Sequence, residues 1–492
     1  MLSNFKYAFF LPVFVLTASL AFGQGRGAIF DEQYDNLPRR AELSARAYEG
    51  LPSSFSLRQY APLPGDQEHY GTCVAWAASY AARTISESIA LNRTNQTETT
   101  QNAFSVVQIY RQIRPDDPEG FYGAQIYSAL DFMRDTGASR MLDIERSSSF
   151  SVVDLAYYRT TRTFPIADYV TLFSREDRRK QALITRIVKK SISEGRPVII
   201  GMNTPDSFNT ARDVWRPREN PQRFYYGHAL CVVGYDDNRH GGAFEVLNSW
   251  GRKWGNGGYI WIPYSVFVDF VMEAYEIIEN IAAFSDEIRF DGFVRMAVVN
   301  SETQTETAAV TTIAARNAAM TLTDNNFYTA AETYTEGTEV SFVIGARESA
   351  YVYSFTVTQG VGTDAFFAPV LLFPQTGVSA LLNYSDSAVE LPGDNRAIQM
   401  DTAGRKYLIT LYAKHALDIQ SIMRTFVSAG GSINKRLAAA IGDGYTTDLV
   451  FNENEASFTA TSEDPRTVAA IVIEIETTPN PQIHAGSDVS AY

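Results

Sequence analysis

The sequence predicts an α+β fold with a second, mostly-β region behind it. Stretches of helical length and periodicity lie between residues 73 and 194, separated by a polar loop at 92–102 and an irregular, tyrosine-rich segment at 141–178. Short apolar runs bounded by turn residues follow between 198 and 262. Helices first and strands afterwards is an α+β layout rather than a βαβ alternation. From 288 to 414 the chain alternates apolar and polar residues and has frequent turn residues, which predicts a sandwich-like β domain.

The individual elements follow from periodicity and from the turn residues between them. Helices are predicted near 73–91, 103–113, 123–136, 180–194, 417–428 and 432–441. Strands are predicted near 198–202, 228–235, 243–248, 257–262, 448–451, 457–460 and 468–475. The polar segment 24–50 is predicted to be a short leader on the surface, and 478–492 a mobile tail.

The composition excludes several classes of protein. The chain has 492 residues, of which 45% are hydrophobic and 13% aromatic, so it is a folded protein of two or three domains. Its formal charge of −14 argues against nonspecific nucleic-acid binding. No cluster has zinc or calcium ligand spacing, so neither a metal nor a cofactor is expected.

The first 23 residues are predicted to be a secretory signal peptide. Lys6 precedes an apolar run over 7–22, and Ala21-Phe22-Gly23 fits a small-x-small cleavage site. An uncleaved membrane anchor is the alternative, but the run is short for a span of ~20 residues. No later stretch is apolar enough to cross a bilayer. With only two cysteines, the chain is not a disulfide scaffold, which suits a bacterial periplasmic or secreted protein.

Cys73 and Gln67 could supply the nucleophile and the hydrogen-bond donor of an acyl-transfer site. Cys73 follows a polar turn and starts a predicted helix, where the helix dipole favours a thiolate. Gln67 lies six positions earlier and offers an amide donor beside the sulfur. The alternative is a buried structural cysteine that opens a core helix.

His228 and Asn248 are predicted to meet across a β-hairpin. His228 begins an apolar strand, and the chain returns through a turn to a second strand that ends at Asn248. An imidazole can take the proton of a thiol, and an amide can orient the ring. Taken alone, each residue is also compatible with a structural role. His69 is a weaker candidate for the base.

Together these motifs resemble those of the papain-like cysteine peptidases over residues 51–276. The matching pieces are Leu51-Pro52 with Phe55 and Arg58, Gln67 with Gly71 and Cys73, Gly227-His228-Ala229, and Asn248-Ser249-Trp250-Gly251 with Trp254-Gly255 and Gly258-Tyr259. The last block fits N-S-W-G-x-x-W-G-x-x-G-Y at every fixed position, and the order Cys, His, Asn agrees with the family.

The resemblance implies a role for each residue. Cys73 would be the nucleophile, His228 its acid–base partner and Asn248 the residue that orients His228. Gln67 would form the oxyanion hole with the backbone N–H of Cys73. Trp250 would shield the Asn–His hydrogen bond, and Gly123, Ala124 and Trp250 would make up the substrate-binding set.

The chain also departs from the family pattern. Ala124 replaces the second glycine of the substrate-pairing edge, and Val74 replaces the usual aromatic residue after the nucleophile. The family's disulfide cysteines are absent. The leader is too short for the large helical propeptide of cathepsin-like members, which argues against self-inhibition by that device.

These features predict an exported cysteine endopeptidase that acts on proteins or peptides through an acyl-enzyme thioester. The alternatives are a catalytically silent papain-like binding protein and a cell-wall peptide amidase or transpeptidase. The arginine-rich loop 204–227 either touches substrate on the leaving-group side or is a solvated loop. Cys231 is expected to point away from His228 into the core, so both cysteines are predicted to be unbridged, with Cys73 reacting quickly.

Residues 286–477 are predicted to be a separate accessory domain. Part of this region, 335–416, resembles an uncharacterised β-rich domain that often trails bacterial peptidases. It is interpreted as a targeting or binding module with a protein or glycan ligand, or else as a passive stabilising domain. Because every catalytic motif lies before residue 260, the domain is predicted to be dispensable for bond cleavage.

Overall fold

The computed structural model describes residues 24–144, 161–279, 288–305, 312–360, 362–393, 396–462 and 464–481. The predicted signal peptide and most of the predicted tail lie outside the described residues. Within these ranges no helix combines the length and apolar character needed to span a membrane.

The first region is built on an antiparallel sheet that confirms the predicted strands. Its strands are β1 (Ser54–Ser56), β2 (Asp168–Thr171), β3 (Val198–Asn203), β4 (Gly227–Asp236), β5 (Ala243–Leu247), β6 (Tyr259–Pro263) and β7 (Val271–Ile278). The strand order is β2-β7-β3-β4-β5-β6, and β1 pairs with β4. Strands β3, β5 and β6 are buried along their whole length, and β4 is buried except at its last residue, Asp236.

The helices of this region include all those predicted, at or near their predicted positions. They are Cys73–Ala75, Trp76–Arg83, Thr84–Ala90, Gln96–Gln101, Val106–Ile113, Ile126–Asp135, Met141–Ile144, Gln181–Ser193 and Tyr264–Phe270. The first three form one continuous helix, whose middle part is π-helical. Short 3-10 helices cover Tyr34–Asn36, Ala45–Tyr48, Arg58–Tyr60, Glu176–Arg179 and Asp206–Thr210.

Several elements of the first region were not predicted, and two of them show why. The polar stretch 92–102, read as a loop, contains the helix Gln96–Gln101, and Asn95 caps it by accepting from the backbone N–H groups of Thr97 and Glu98. Strand β2 lies within 141–178, which has no clear periodicity. Both elements depend on local capping or sheet pairing rather than on a hydrophobic pattern.

The second region is a two-sheet sandwich with a helical layer outside it. Its strands are β8 (Ile288–Thr305), β9 (Thr312–Asn317), β10 (Met320–Asp324), β11 (Phe327–Ala330), β12 (Tyr334–Thr335), β13 (Glu339–Ala346), β14 (Ala350–Gln359), β15 (Phe366–Phe373), β16 (Leu381–Leu382), β17 (Ser387–Leu391), β18 (Ile398–Gln399), β19 (Gly404–Ala413), β20 (Val450–Phe451), β21 (Ser457–Ser462) and β22 (Val468–Thr478).

The main paths of the two sheets are β10-β11-β22-β19-β14-β15 and β17-β13-β8-β21-β20. Apolar side chains from both sheets, such as Phe342 and Ile471, form one core between them. The helices Ile419–Ser428 and Ile433–Ile441 cover the outer face of the first of these sheets. The predicted sandwich and the two predicted helices are therefore present.

The leader does not lie on the surface, so that expectation was wrong. Tyr34 is fully buried in the core of the first region, and Ala41 and Leu43 belong to the core of the second. Between them, Arg39 pairs with both regions. Its N–H donates to the carbonyl of Gly377 at 2.9 Å, and its carbonyl accepts from Ser379 at 2.7 Å. The N–H of the next residue donates to Thr171 in β2 at 2.8 Å.

A buried polar cluster joins the leader to both regions. Arg40 forms an ion pair with Glu276, whose side chain is fully buried, and its guanidinium lies 4.0 Å from the ring centroid of Tyr384. The Tyr384 hydroxyl donates to the same carboxylate at 2.7 Å and lies 2.7 Å from the hydroxyl of Ser191. The sequence pattern predicted a domain boundary near residue 286. It did not predict that leader residue Arg40 would contact side chains on both sides of that boundary.

Candidate active site

Strands β4 and β5 bring His228 and Asn248 together, as the hairpin predicted. His228 Nε2 lies 2.8 Å from Asn248 Oδ1, and both residues are buried. Asn248 Oδ1 also accepts the backbone N–H of Ser249 at 2.8 Å, which fixes the orientation of the amide. Because an amide oxygen can only accept, Nε2 carries the proton and Nδ1 keeps its lone pair. Nδ1 is buried and has no hydrogen-bond partner within the described part of the chain.

Aromatic side chains enclose this histidine. The Trp250 ring stacks on His228 with centroids 4.7 Å apart and planes 26° apart, and Trp250 is only 2% exposed. Phe208 packs against both rings, at 6.2 Å from His228 and 5.5 Å from Trp250. The hydrogen bond between His228 and Asn248 is therefore shielded from water, which strengthens it.

Cys73 begins the long helix and is completely buried. The backbone N–H groups of Ala229, which follows His228, and of Gly27 in the leader both interact with its thiol. Even so, burial raises the pKa of Cys73 to about 11, and burial lowers the pKa of His228 to about 3. Both groups are therefore neutral in this state. The fast reaction expected of Cys73 stays a prediction, and the leader, whose Gly27 N–H interacts with the thiol, is positioned to slow it.

The side-chain amide of Gln67 is fixed from the same loop that carries Asn248. Its Oε1 accepts from the Ser249 hydroxyl at 2.5 Å, and its backbone N–H donates to the Ser249 carbonyl at 2.7 Å. Its Nε2 donates to the carbonyls of Tyr70 at 2.7 Å and of Gly25 at 3.1 Å. Trp250 Nε1 donates to the same Gly25 carbonyl at 3.0 Å. The Gly25 carbonyl of the leader thus accepts a hydrogen bond from Gln67 Nε2, the group that is expected to donate to an oxyanion.

The leader continues through the cleft as an extended strand. Ala124 N–H donates to the carbonyl of Gly27 at 2.7 Å, and Ile29 N–H donates to the carbonyl of Ala124 at 2.9 Å. On the opposite wall, Ala28 N–H donates to the carbonyl of Gly227 at 3.1 Å. The edge at Gly123 and Ala124 therefore supports main-chain pairing with an extended segment, although Ala124 is not a glycine.

Two glycines allow the leader to approach this closely. A Cβ atom at Gly27 would lie 2.2 Å from the carbonyl oxygen of Gly71, and one at Gly25 would lie 2.0 Å from that of Tyr70. Both partners are backbone atoms, which cannot swing away as a side chain can. Any larger residue at these positions would force the leader away from the floor of the cleft.

Sequence reasoning missed three residues at this site. Ser249, which fixes Gln67, stood inside the quoted Asn-Ser-Trp-Gly block, so its position carried a signal. Asn209 and its leader partner Arg26 carried none. Asn209 is one of several residues of the loop 204–227 that contact the leader, and its side chain lies 2.6 Å from Arg26. Arg212 and Arg216 of this loop instead donate to the carbonyls of Lys253 and His240.

The second cysteine lies outside the site. Cys231 is buried in strand β4, neither cysteine is bridged, and burial raises the pKa of its thiol. Both thiols are therefore free, as the strand parity predicted. In the described part of the chain no group of three or more His, Cys, Asp and Glu side chains could hold a metal ion.

Comparison with known proteins agrees with this geometry. Residues 51–278 match the sequence model of the papain family cysteine proteases. This part of the chain is papain-like. This match ends at the last residue of β7, so it covers the sheet and every motif quoted above and does not extend into the second region.

A curated relative matches only a short segment of the chain. An uncharacterised peptidase C1-like protein of Acanthamoeba polyphaga mimivirus is 35% identical over 88 residues, which is 17% of this chain and 27% of that protein. The chain thus spans about a quarter of the length of this curated relative.

Two solved structures are also similar to the chain. Xylellain, a cysteine protease from Xylella fastidiosa, is 20% identical, with a TM-score of 0.41, over 52% of this chain and 96% of its own. Digestive procathepsin L 3 of Tenebrio molitor is 16% identical, with a TM-score of 0.40, over 52% and 77%.

Proposed function

We propose that the protein is an exported cysteine endopeptidase whose leader blocks its own cleft. One observation carries the proposal. His228 is held through Nε2 by Asn248, and its other ring nitrogen is buried and unpartnered in the described part of the chain. This nitrogen keeps its lone pair and can accept a proton. The thiol of Cys73 is near it, because the thiol interacts with the backbone N–H of Ala229, the residue after His228.

The chemistry follows from these groups. His228 Nδ1 takes the thiol proton, and the sulfur of Cys73 attacks the peptide carbonyl carbon, so that a C–S bond forms and the carbonyl oxygen becomes an anion. Gln67 Nε2 and the Cys73 N–H donate to that oxygen. The C–N bond then breaks, His228 returns the proton to the leaving amine, and a thioester remains. Water, activated by His228, hydrolyses the thioester and restores the thiol.

The leader must leave before substrate enters. It takes the Gln67 donor through Gly25 and the Ala124 edge through Gly27, which are two contacts that substrate would need. The proposed peptidase is therefore inactive while residues 25–29 lie in the cleft. Export is proposed from the sequence of residues 1–23 alone.

The test uses the full chain with Gly27→Val, which expels the leader from the cleft. This variant and the same variant with Cys73→Ala are incubated with a mixed peptide library, and products are read by mass spectrometry. Hydrolysis is expected only where Cys73 is present. Equal hydrolysis by both proteins would contradict the proposal.

Two other outcomes would favour the rival functions. If Cys73 in the Gly27→Val protein reacts with iodoacetamide but no peptide is cleaved, the domain is a silent binding protein. If peptides are joined to added amines rather than hydrolysed, the protein is a transpeptidase.

A further inference from the structure

Arg26 of the leader places a long side chain in the cleft. This side chain is only 8% exposed. Its Nη2 donates to Asn209 Oδ1 at 2.6 Å and to the carbonyl of Pro205 at 3.4 Å, and its Nη1 lies 3.5 Å from Asp206 Oδ1. Burying an arginine is unfavourable without such partners, so this is a built cation pocket rather than a chance contact.

Two aromatic rings complete the pocket. The Arg26 guanidinium lies 4.5 Å from the ring centroid of Tyr226 and 5.8 Å from that of Trp250. A planar guanidinium gains both stacking and cation–π attraction there, which an ammonium matches less well. The Asn209 turn is fixed from behind, because Trp254 Nε1 donates to the carbonyls of Phe208 and Asn209 at 3.2 and 3.1 Å.

The pocket lies directly beside the reacting groups. Arg26 sits between Gly25, whose carbonyl takes the Gln67 donor, and Gly27, whose N–H faces the Cys73 thiol. The pocket lies on the side of the cleft that holds His228, since Trp250 stacks on His228 and Phe208 packs against both rings. The leaving amine must also be on that side, because His228 gives it the proton.

We propose that this pocket, formed by Pro205, Asp206, Asn209, Tyr226 and Trp250, is a substrate subsite for an arginine side chain immediately on the leaving-group side of the scissile bond. The inference rests on the proposed peptidase function. In it, Arg26 of the leader acts as the stand-in for the substrate side chain. Lysine binds there more weakly, and neutral residues of the same length bind weakest.

The experiment uses the full chain with Gly27→Val and Arg26→Ala, so that the leader neither blocks the cleft nor competes for the pocket. Four peptides carry arginine, lysine, citrulline or norleucine at the first position after the cleaved bond. We expect kcat/KM to be roughly 10-fold higher for arginine than for citrulline. Adding Asn209→Ala should reduce this ratio to about 1–3, whereas Asn220→Ala, an exposed residue of the same loop, should leave it unchanged.

The outcomes separate the two proposals. Rapid hydrolysis with equal rates for arginine and citrulline would overturn the subsite and leave the peptidase intact. If no peptide is cleaved, the peptidase proposal fails, and the subsite is judged by how well each peptide protects Cys73 from alkylation. Stronger protection by arginine than by citrulline supports the pocket, and equal protection refutes it.

Discussion

Replacing Gly27 with valine should expose the thiol of Cys73. The leader passes so close to Gly71 that a Cβ atom would lie 2.2 Å from its carbonyl oxygen, and valine adds two methyl groups beyond that atom. The leader therefore has to move away, and the sulfur regains contact with water. The backbone at Gly27 has no positive φ, so the substitution acts through space rather than through conformational strain.

The magnitude follows from the pKa of the thiol. With a pKa of about 11, roughly one Cys73 in 10⁴ is a thiolate at pH 7. At an ordinary pKa of ~8.5 the fraction is roughly one in 30. Alkylation at pH 7 should therefore be about 300-fold faster in Gly27→Val, before any gain in physical access is counted.

The assay is iodoacetamide labelling of the full chain, read by mass spectrometry of the peptide that holds Cys73. Cys231 serves as an internal reference, because it is buried in β4 in both proteins. Gln24→Val is the matched control, since Gln24 is exposed and tolerates the same side chain. Equal labelling of Cys73 in wild type and Gly27→Val, with both proteins folded, would refute the leader as the cover of the thiol.

Three further predictions concern the same contacts. In the Gly27→Val background, Gln67→Ala should lower kcat by roughly 10²–10³-fold through loss of one oxyanion donor, with Gln101→Ala as control. Burial, together with the charge of Arg26 in the leader, lowers the pKa of His228 to about 3, so protonation of His228 favours the open leader. The leader should be roughly 30-fold more open at pH 5 than at pH 8, measured by hydrogen exchange at Ala28 and Ile29 with the intrinsic pH dependence removed, and no change would contradict the shift. Arg40→Met should lower the free energy of unfolding by about 1.5–3 kcal/mol in urea, because the buried Glu276 loses one charged partner and keeps Arg196, at 3.6 Å, and the Tyr384 hydroxyl, whereas the exposed Arg46→Met should have little effect.

The parts of the site that could be predicted from sequence were those carried by local pattern. The strand that begins at His228 and the hairpin that returns to Asn248 have clear apolar runs, and their antiparallel pairing fixes the distance between the two side chains. The position of Cys73 at the start of a helix could also be predicted from the sequence.

What failed concerned contacts between distant segments. The leader was assigned to the surface because it is polar and lacks periodicity, yet its glycines fit the cleft floor by close approach, which no hydrophobic pattern records. Its buried arginines, Arg26 and Arg40, find partners 183 and 236 positions away, in Asn209 and Glu276. Composition treats an arginine as exposed, and only the folded chain reveals a partner that makes its burial favourable. The pKa of the Cys73 thiol depends on the same leader contacts, which the sequence pattern does not reveal.

The pairing of Arg39 with Gly377 and Ser379 also sets an order of events during synthesis. Arg39 and Ser379 are 379 − 39 = 340 positions apart, so at about 5–20 residues per second the leader waits roughly 17–70 s on the ribosome before this partner exists. The papain-like sheet, which ends at Ile278, is complete well before then. A nascent chain therefore passes through a stage in which the cleft is assembled while the anchor of its cover is still missing. A chain that terminates early has the partners of residues 25–29 in the cleft but lacks the second-region partners of Arg39.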